Sequence, residues 1–331
     1  MPEQKNDVWL TRVIIIIAIL GGVYFGYQAV FNAGNRAQQN PFEYNIEHFK
    51  KSDSALHHYT ETAQIVLPQN RWWGIALDAL DRIYISGAGK MLKYTDHSNP
   101  EEYLIGGNGL CLAVNSSGDA YIGMGDHIAV YDNSGHLQSR INLNAGSSLT
   151  TSITLSEKYI YVADAGEHIV RQLDRMGNLV QYIGEKDTTR DIPGFVIPSP
   201  YFDVAIDPDK YLWVVNPGRH SLENYTLEGG LRSSWGYYSM ELDGFCGCCN
   251  PTHIAILPDG SFITSEKGIA RIKVYNRIGQ LVSVVASAAQ FDEGTEGLDI
   301  AIDAKQQIYI LDPKRLQIRI FTKINGEPAD A

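Results

Sequence analysis

No block of lysine and arginine occurs anywhere in the chain, and acidic residues outnumber basic ones by 38 to 27, for a formal net charge of −11. A surface of that sign offers no electrostatic footprint for gripping phosphates, which argues against nucleic acid as a partner. Cysteine is scarce, with four in 331 residues. Cys246 and Cys249 have the separation of a haem-attachment pair, but Asn250 follows them instead of histidine. Nor is there a tandem pair of CxxC knuckles for zinc. A nucleophile elbow, a phosphate-cradling glycine loop and a paired general acid and base are all missing, so no motif names a reaction.

What the chain does have is 19 tyrosines, 31 glycines and frequent Asp/Asn turns, a composition suited to many short strands. Its length fits one large all-β domain or two average ones, and repetition favours one. The run 13–31, from Val13 to Phe31, carries no charged side chain, and its strongly polar residue, Gln28, lies near its end. As a helix it would reach about 28 Å, roughly one hydrocarbon core. A cleaved signal peptide is the rival reading, but Phe31-Asn32-Ala33 is a poor cleavage site. The expectation is a membrane partner reached through this one transmembrane helix. Flanking charge barely discriminates the orientation. A short tail followed by a large domain has the form of a signal anchor, placing residues 32–331 outside the cytoplasm, in the periplasm of a Gram-negative source.

After a polar spacer, a pattern recurs six times: alternating apolar residues ending near Asp or Asn, a turn, then a strand of the Ile-Tyr-Ile type. The copies are centred on Ala76, Ala113, Thr154, Ala205, Ala255 and Ala301, at intervals of 37, 41, 51, 50 and 46 residues. A small residue at each centre is what crowding near a propeller axis requires. Second strands follow, such as Arg82-Ile83-Tyr84-Ile85 and Tyr211-Leu212-Trp213-Val214. A third strand alternates strictly, as in Ile318-Arg319-Ile320-Phe321, and a fourth reads like Leu179-Val180-Gln181-Tyr182-Ile183. Four strands per repeat make a propeller blade. The sixth copy stops after its third strand, while 62–67 is a lone strand before the first. The simplest inference is that this N-terminal strand completes the last blade, with Ile65 beside residues 318–321.

The segments Val162-Ala163-Asp164-Ala165-Gly166-Glu167-His168-Ile169 and Val215-Asn216-Pro217-Gly218-Arg219-His220-Ser221-Leu222 resemble NHL repeats. The resemblance covers about residues 61–324 and implies a six-bladed β-propeller. His127, His168 and His220 fall where that family keeps its eponymous turn histidine, and they are read as structural. The expected organisation is a tail over 1–12, the anchor over 13–31, a spacer over 32–60, the propeller over 61–324 and a tail over 325–331.

The most unusual stretch is Gly244-Phe245-Cys246-Gly247-Cys248-Cys249-Asn250-Pro251-Thr252-His253, which joins the fourth blade to the fifth. Residues just before each inner strand line the channel mouth on the same face: Gly74, Cys111, Ser152, Asp203, His253 and Asp299. Cys111, Asp203, His253 and Asp299 are therefore expected to converge on the axis under a loop bearing Cys246, Cys248 and Cys249. Thiolate, imidazole and carboxylate are donors that zinc, copper or iron accept. Three readings of the cysteines stay open: a metal or redox site, structural disulfides outside the cytoplasm, and inert thiols with Cys111 as a buried filler. Two insertions, 185–200 and 235–250, lie on the same rim, where propellers bind ligands.

Two functions fit. One is a binding or scaffold module that presents its loop face to a protein or small-molecule ligand, as most non-enzymatic NHL propellers do. The alternative is a metal-dependent enzyme of lyase or hydrolase type, since the peptidylglycine amidating lyase is an NHL-like propeller holding channel zinc by histidines. Here His253 alone matches that pattern.

Overall fold

The computed structural model of the chain describes residues 5–33, 46–143 and 146–324. The terminal tail expected over 325–331 lies outside the described residues. Two compact units are present, residues 1–45 and 46–331. In the first, helix α1 runs Lys5–Ala33. Among the described residues no helix is long and apolar enough to cross a membrane. The structure thus gives no support to the anchor expected over 13–31.

The second unit is an all-β, six-bladed propeller of 23 described strands in six antiparallel sheets. The first sheet joins β2 (Trp72–Leu77), β3 (Ile83–Tyr94) and β4 (Glu101–Asn108). By element count it has three strands, but β3 serves as two. Its first half, 83–87, pairs with β2 and its second half, 90–93, with β4. Gly89 sits between the halves at φ +72°, a left-handed conformation that favours glycine. The next four blades run in simple chain order, from β5 (Cys111–Val114) to β20 (Leu281–Ala286).

The last blade combines β21 (Ile300–Ile302), β22 (Ile308–Asp312) and β23 (Gln317–Lys323) with β1 (Tyr59–Val66) from the other end of the chain. Ile65 stands opposite Ile318 and Gln64 opposite Arg319. The Arg319 guanidinium also grips Glu61 with two bonds, at 3.0 and 2.6 Å. Without β1, the edge of β23 would be unpaired, a template for wrong association.

Six apolar cores lie between neighbouring blades, one per interface. Period-two alternation produces them, since each blade is buried on both faces by its neighbours. The Asp residues that end the inner strands have a local task. Asp78 Oδ1 accepts the N–H groups of Leu80 and Arg82, and Asp303 Oδ1 those of Lys305 and Gln307. The aromatic of the second strand donates to the same carboxylate, as Tyr84 does to Asp78 at 3.2 Å and Trp213 to Asp207 at 2.9 Å. The repeated Asp, turn and aromatic are one hydrogen-bonded device.

A second device was not anticipated from the sequence. The last residue of the second strand pairs, seven positions on, with the third: Asp164 with Arg171, Asn216 with Glu223, Glu266 with Lys273 and Asp312 with Arg319. All eight side chains are buried. Compensating partners make such burial tolerable.

Candidate functional site

Each inner strand begins at the channel wall, and there the first side chain of one blade reaches the next. Asp203 Oδ2 accepts the N–H of Ile254 in the following blade at 2.7 Å, while its Oδ1 accepts Val204 N–H at 2.8 Å. Asp299 does the same across the closing seam, with Ile75 N–H at 2.9 Å and Ile300 N–H at 2.8 Å. Ser152 Oγ is a weaker version, 3.4 Å from the N–H of Val204. At the equivalent position of the first blade, a Cβ on Gly74 would lie 2.8 Å from Ser86 Oγ and 3.0 Å from the Cα of Cys111. Close backbone approach explains that glycine.

His253 opens β17 (His253–Ile256) in the blade between those of Asp203 and Asp299. Its Nδ1 stands 3.5 Å from Asp203 Oδ2 and 3.4 Å from Asp299 Oδ1. One ligating atom of each of the three residues lies within 4.8 Å of the others. Burial disfavours a charged imidazole, but the carboxylates of Asp299 and Asp203 raise the affinity of His253 for its proton above the ordinary value. Burial and the neighbouring Asp203 push the Asp299 carboxyl up to about 6, against the pull of His253. The cluster therefore holds proton and charge near neutrality, where small changes matter.

All three side chains line the channel, and His253 also borders a second space at its mouth. Below is the channel, a cavity of about 290 Å³ walled by the inner strands. Above is the mouth, about 380 Å³, where His253 meets Trp73, Tyr201, Arg71, Glu296 and Asn70. The Tyr201 ring meets the His253 ring edge-on at 5.9 Å between centroids, and the Arg71 guanidinium covers Trp73 at 5.2 Å. Apolar faces rimmed by a few charges make this an amphipathic pocket.

The seven expected site residues thus separate. Asp203, His253 and Asp299 come together. Cys111 lines the same channel as His253, but its thiol turns into the core toward Thr150 O, 3.9 Å away. Gly123 leaves the room: a Cβ there would lie 2.5 Å from the Cys111 sulfur. Burial pushes the Cys111 thiol far up, so it stays protonated. Cys246, Cys248 and Cys249 are not in the channel walls. Cys246 donates to Glu266 at 3.3 Å within the fifth blade. Lys273 holds the loop down through Leu242 O at 2.8 Å and Gly244 O at 2.6 Å. Cys248 and Cys249 face each other, their sulfurs 3.1 Å apart. All four cysteines are free.

Sequence reasoning missed the aromatic mouth, because Trp73, Tyr201 and Glu296 precede three different blades. They stand one, two and three residues before Gly74, Asp203 and Asp299, so no single repeat position marked them.

No protein-family model matches the chain, and no curated protein matches it in sequence. Its fold is similar to that of solved lyases. A streptogramin B lyase structure aligns over 82% of this chain and 100% of its own, with 14% identity and a TM-score of 0.57. Virginiamycin B lyase from Staphylococcus aureus aligns over 80% and 99%, with 13% identity and a TM-score of 0.58. A catalytically inactive form of that lyase, with quinupristin, aligns over 81% and 89%, with 14% identity and a TM-score of 0.54. Likeness at this identity is a likeness of fold.

Proposed function

We propose that the protein binds an amphipathic small molecule or peptide at the channel mouth, with a divalent metal ion of the zinc class held by His253, Asp203 and Asp299. The observation that carries this reading is the spacing of the three donors in the channel wall, where His253 also borders the mouth. Two ligands bound tetrahedrally to one ion at about 2.1 Å stand about 3.4 Å apart, and His253 Nδ1 lies 3.4 and 3.5 Å from the two carboxylates. Each carboxylate oxygen accepts one N–H and keeps a second lone pair. Those N–H bonds orient the carboxylates as the outer partners of a metal site do. An ion held by these three residues would supply a Lewis acid in the channel. Trp73 and Tyr201 take the apolar part of the ligand, and Arg71 and Glu296 its polar ends.

The test is metal analysis of the full-length protein and of His253→Ala and Asp299→Asn. One equivalent in the wild type, lost in both variants, supports the reading. A wild type that neither co-purifies with zinc nor takes it up in titration sinks it.

A second reading, lyase-type chemistry on that ligand, is favoured by the streptogramin B lyases among the similar structures. Incubation with quinupristin tests it by mass. Elimination opens a ring without gaining water, hydrolysis adds one, and an unchanged compound leaves a binding module. The NHL ancestry and the scaffold role at the loop face belong to the same proposal. So does the extracytoplasmic tether through 13–31, which a C-terminal reporter active on one side of the membrane would check.

A further inference from the structure

The loop between the fourth and fifth blades carries a pair of thiols that the site above does not use. Cys248 is exposed and Cys249 is buried, yet their sulfurs lie 3.1 Å apart. The loop holds them in place: Asn250 Nδ2 donates to Cys246 O at 2.7 Å and to Lys267 O at 2.9 Å, and Lys267 N–H donates back to Asn250 Oδ1 at 2.9 Å. Lys267 Nζ then sits over the Tyr201 ring at 4.8 Å, and Tyr201 lies against His253. The thiol pair is therefore one residue removed from the wall of the mouth.

We propose that Cys248 and Cys249 form a thiol–disulfide switch beside the channel mouth, charged by a small-molecule disulfide such as glutathione disulfide. The exposed Cys248 thiolate attacks one sulfur of that disulfide. A mixed disulfide forms on Cys248, and the first small thiol leaves. Cys249, as thiolate, then attacks the Cys248 sulfur and releases the second small thiol. The protein loses two hydrogens and two electrons, and one disulfide has become two thiols. Closing the bond brings the sulfurs from 3.1 Å to about 2.05 Å. Closing the bond also takes Cys249 away as a partner of the Lys267 ammonium that covers Tyr201, so redox state reaches the wall of the mouth.

Exposure assigns the two roles, since Cys248 is open to a dissolved disulfide and Cys249 is buried behind it. Burial works against the Cys249 thiolate, but the nearby Ser199 hydroxyl, the Cys248 thiol and the Lys267 ammonium bring it below the ordinary thiol value. The other cysteines are set against reaction. Cys246 is pushed up to about 11 by burial and by the Glu266 carboxylate, and Cys111 is raised in the apolar core.

The test uses full-length protein, reduced and then equilibrated with glutathione and glutathione disulfide. Free thiols are quenched by alkylation and the peptides mapped by mass. Wild type should show a bond between Cys248 and Cys249, with Cys111 and Cys246 reduced. Cys249→Ser should trap glutathione on Cys248, because nothing remains to displace it. Cys248→Ser should take up about a tenth as much or less, because Cys249 is buried. The proposal is overturned if wild type joins Cys246 to either neighbour, stays fully reduced, or if Cys248→Ser is modified as readily as Cys249→Ser. Should Cys249→Ser prove too unstable, the wild-type map and the variant at exposed Cys248 decide the matter.

Discussion

The carboxylate of Asp299 in the last blade accepts the backbone N–H of Ile75 in the first blade at 2.9 Å. One channel side chain thus clasps the seam from within, while β1 and β23 close it on the outside. Ring closure is made twice, at the axis and at the rim, by parts of the chain more than 200 residues apart.

Asp299→Asn tests the inner clasp. The carboxylate has an oxygen for each of two N–H groups, Ile75 and Ile300, whereas an amide offers one acceptor and turns its NH₂ toward the other donor. The expected loss is about 1–3 kcal/mol in urea unfolding. An unchanged midpoint would show that the clasp contributes nothing.

Ile65→Ala tests the outer closure. Ile65 is buried in the core between the last and first blades and faces Ile318. Loss of a packed side chain there should cost about 2–5 kcal/mol. Proteolysis after mild denaturation should then cut first near β1. Initial cleavage elsewhere would mean that the seam is not the weak point.

Gly74→Ala addresses crowding at the axis. The added methyl meets Ser86 Oγ at 2.8 Å, Leu112 Cδ2 at 2.9 Å and the Cys111 backbone at 3.0 Å, and the last cannot swing aside. A destabilisation of about 1–3 kcal/mol is expected. An equal loss on Gly89→Ala, which has open space but a left-handed backbone, would point to conformation instead of contact.

Asp164 gives the acid dependence a source. Burial opposes its charge, but Ser148, the Leu149 N–H and Arg171 hold it below the ordinary carboxylate range. The folded value lies beneath the unfolded one, so the stabilisation is fully present above about pH 4 and is lost as pH falls through the folded value. Asp164→Asn should lower stability near neutrality by about 3–5 kcal/mol, since Arg171 is left buried without its anion. It should also flatten the acid limb of a stability-against-pH curve. Parallel limbs in wild type and variant would assign acid sensitivity to other carboxylates.

The number of blades and their strands were legible in the chain itself. Period-two alternation, the Asp that ends an inner strand and the small residue at its centre are local requirements of a blade. The alternation and the small residue recur at every copy from Ala76 to Ala301, and the Asp at 78, 207 and 303. Closure by a strand at 62–67 was legible too, observed at Tyr59–Val66, because a sheet with three strands in its last repeat needs a fourth from somewhere. The convergence of Asp203, His253 and Asp299 followed from one shared repeat position. The sequence could not say where each thiol points. Cys111 occupies the same repeat position as His253, yet Gly123 across the strand pair gives its sulfur a place in the core, away from the cluster. Nor could it show that Lys273 and Glu266 in the fifth blade hold the cysteine loop against that blade, leaving Cys248 and Cys249 at the edge of the mouth. Repeat periodicity depends on backbone geometry, which is local. The direction of a side chain depends on the volume that distant neighbours leave for it, and only the tertiary structure decides that.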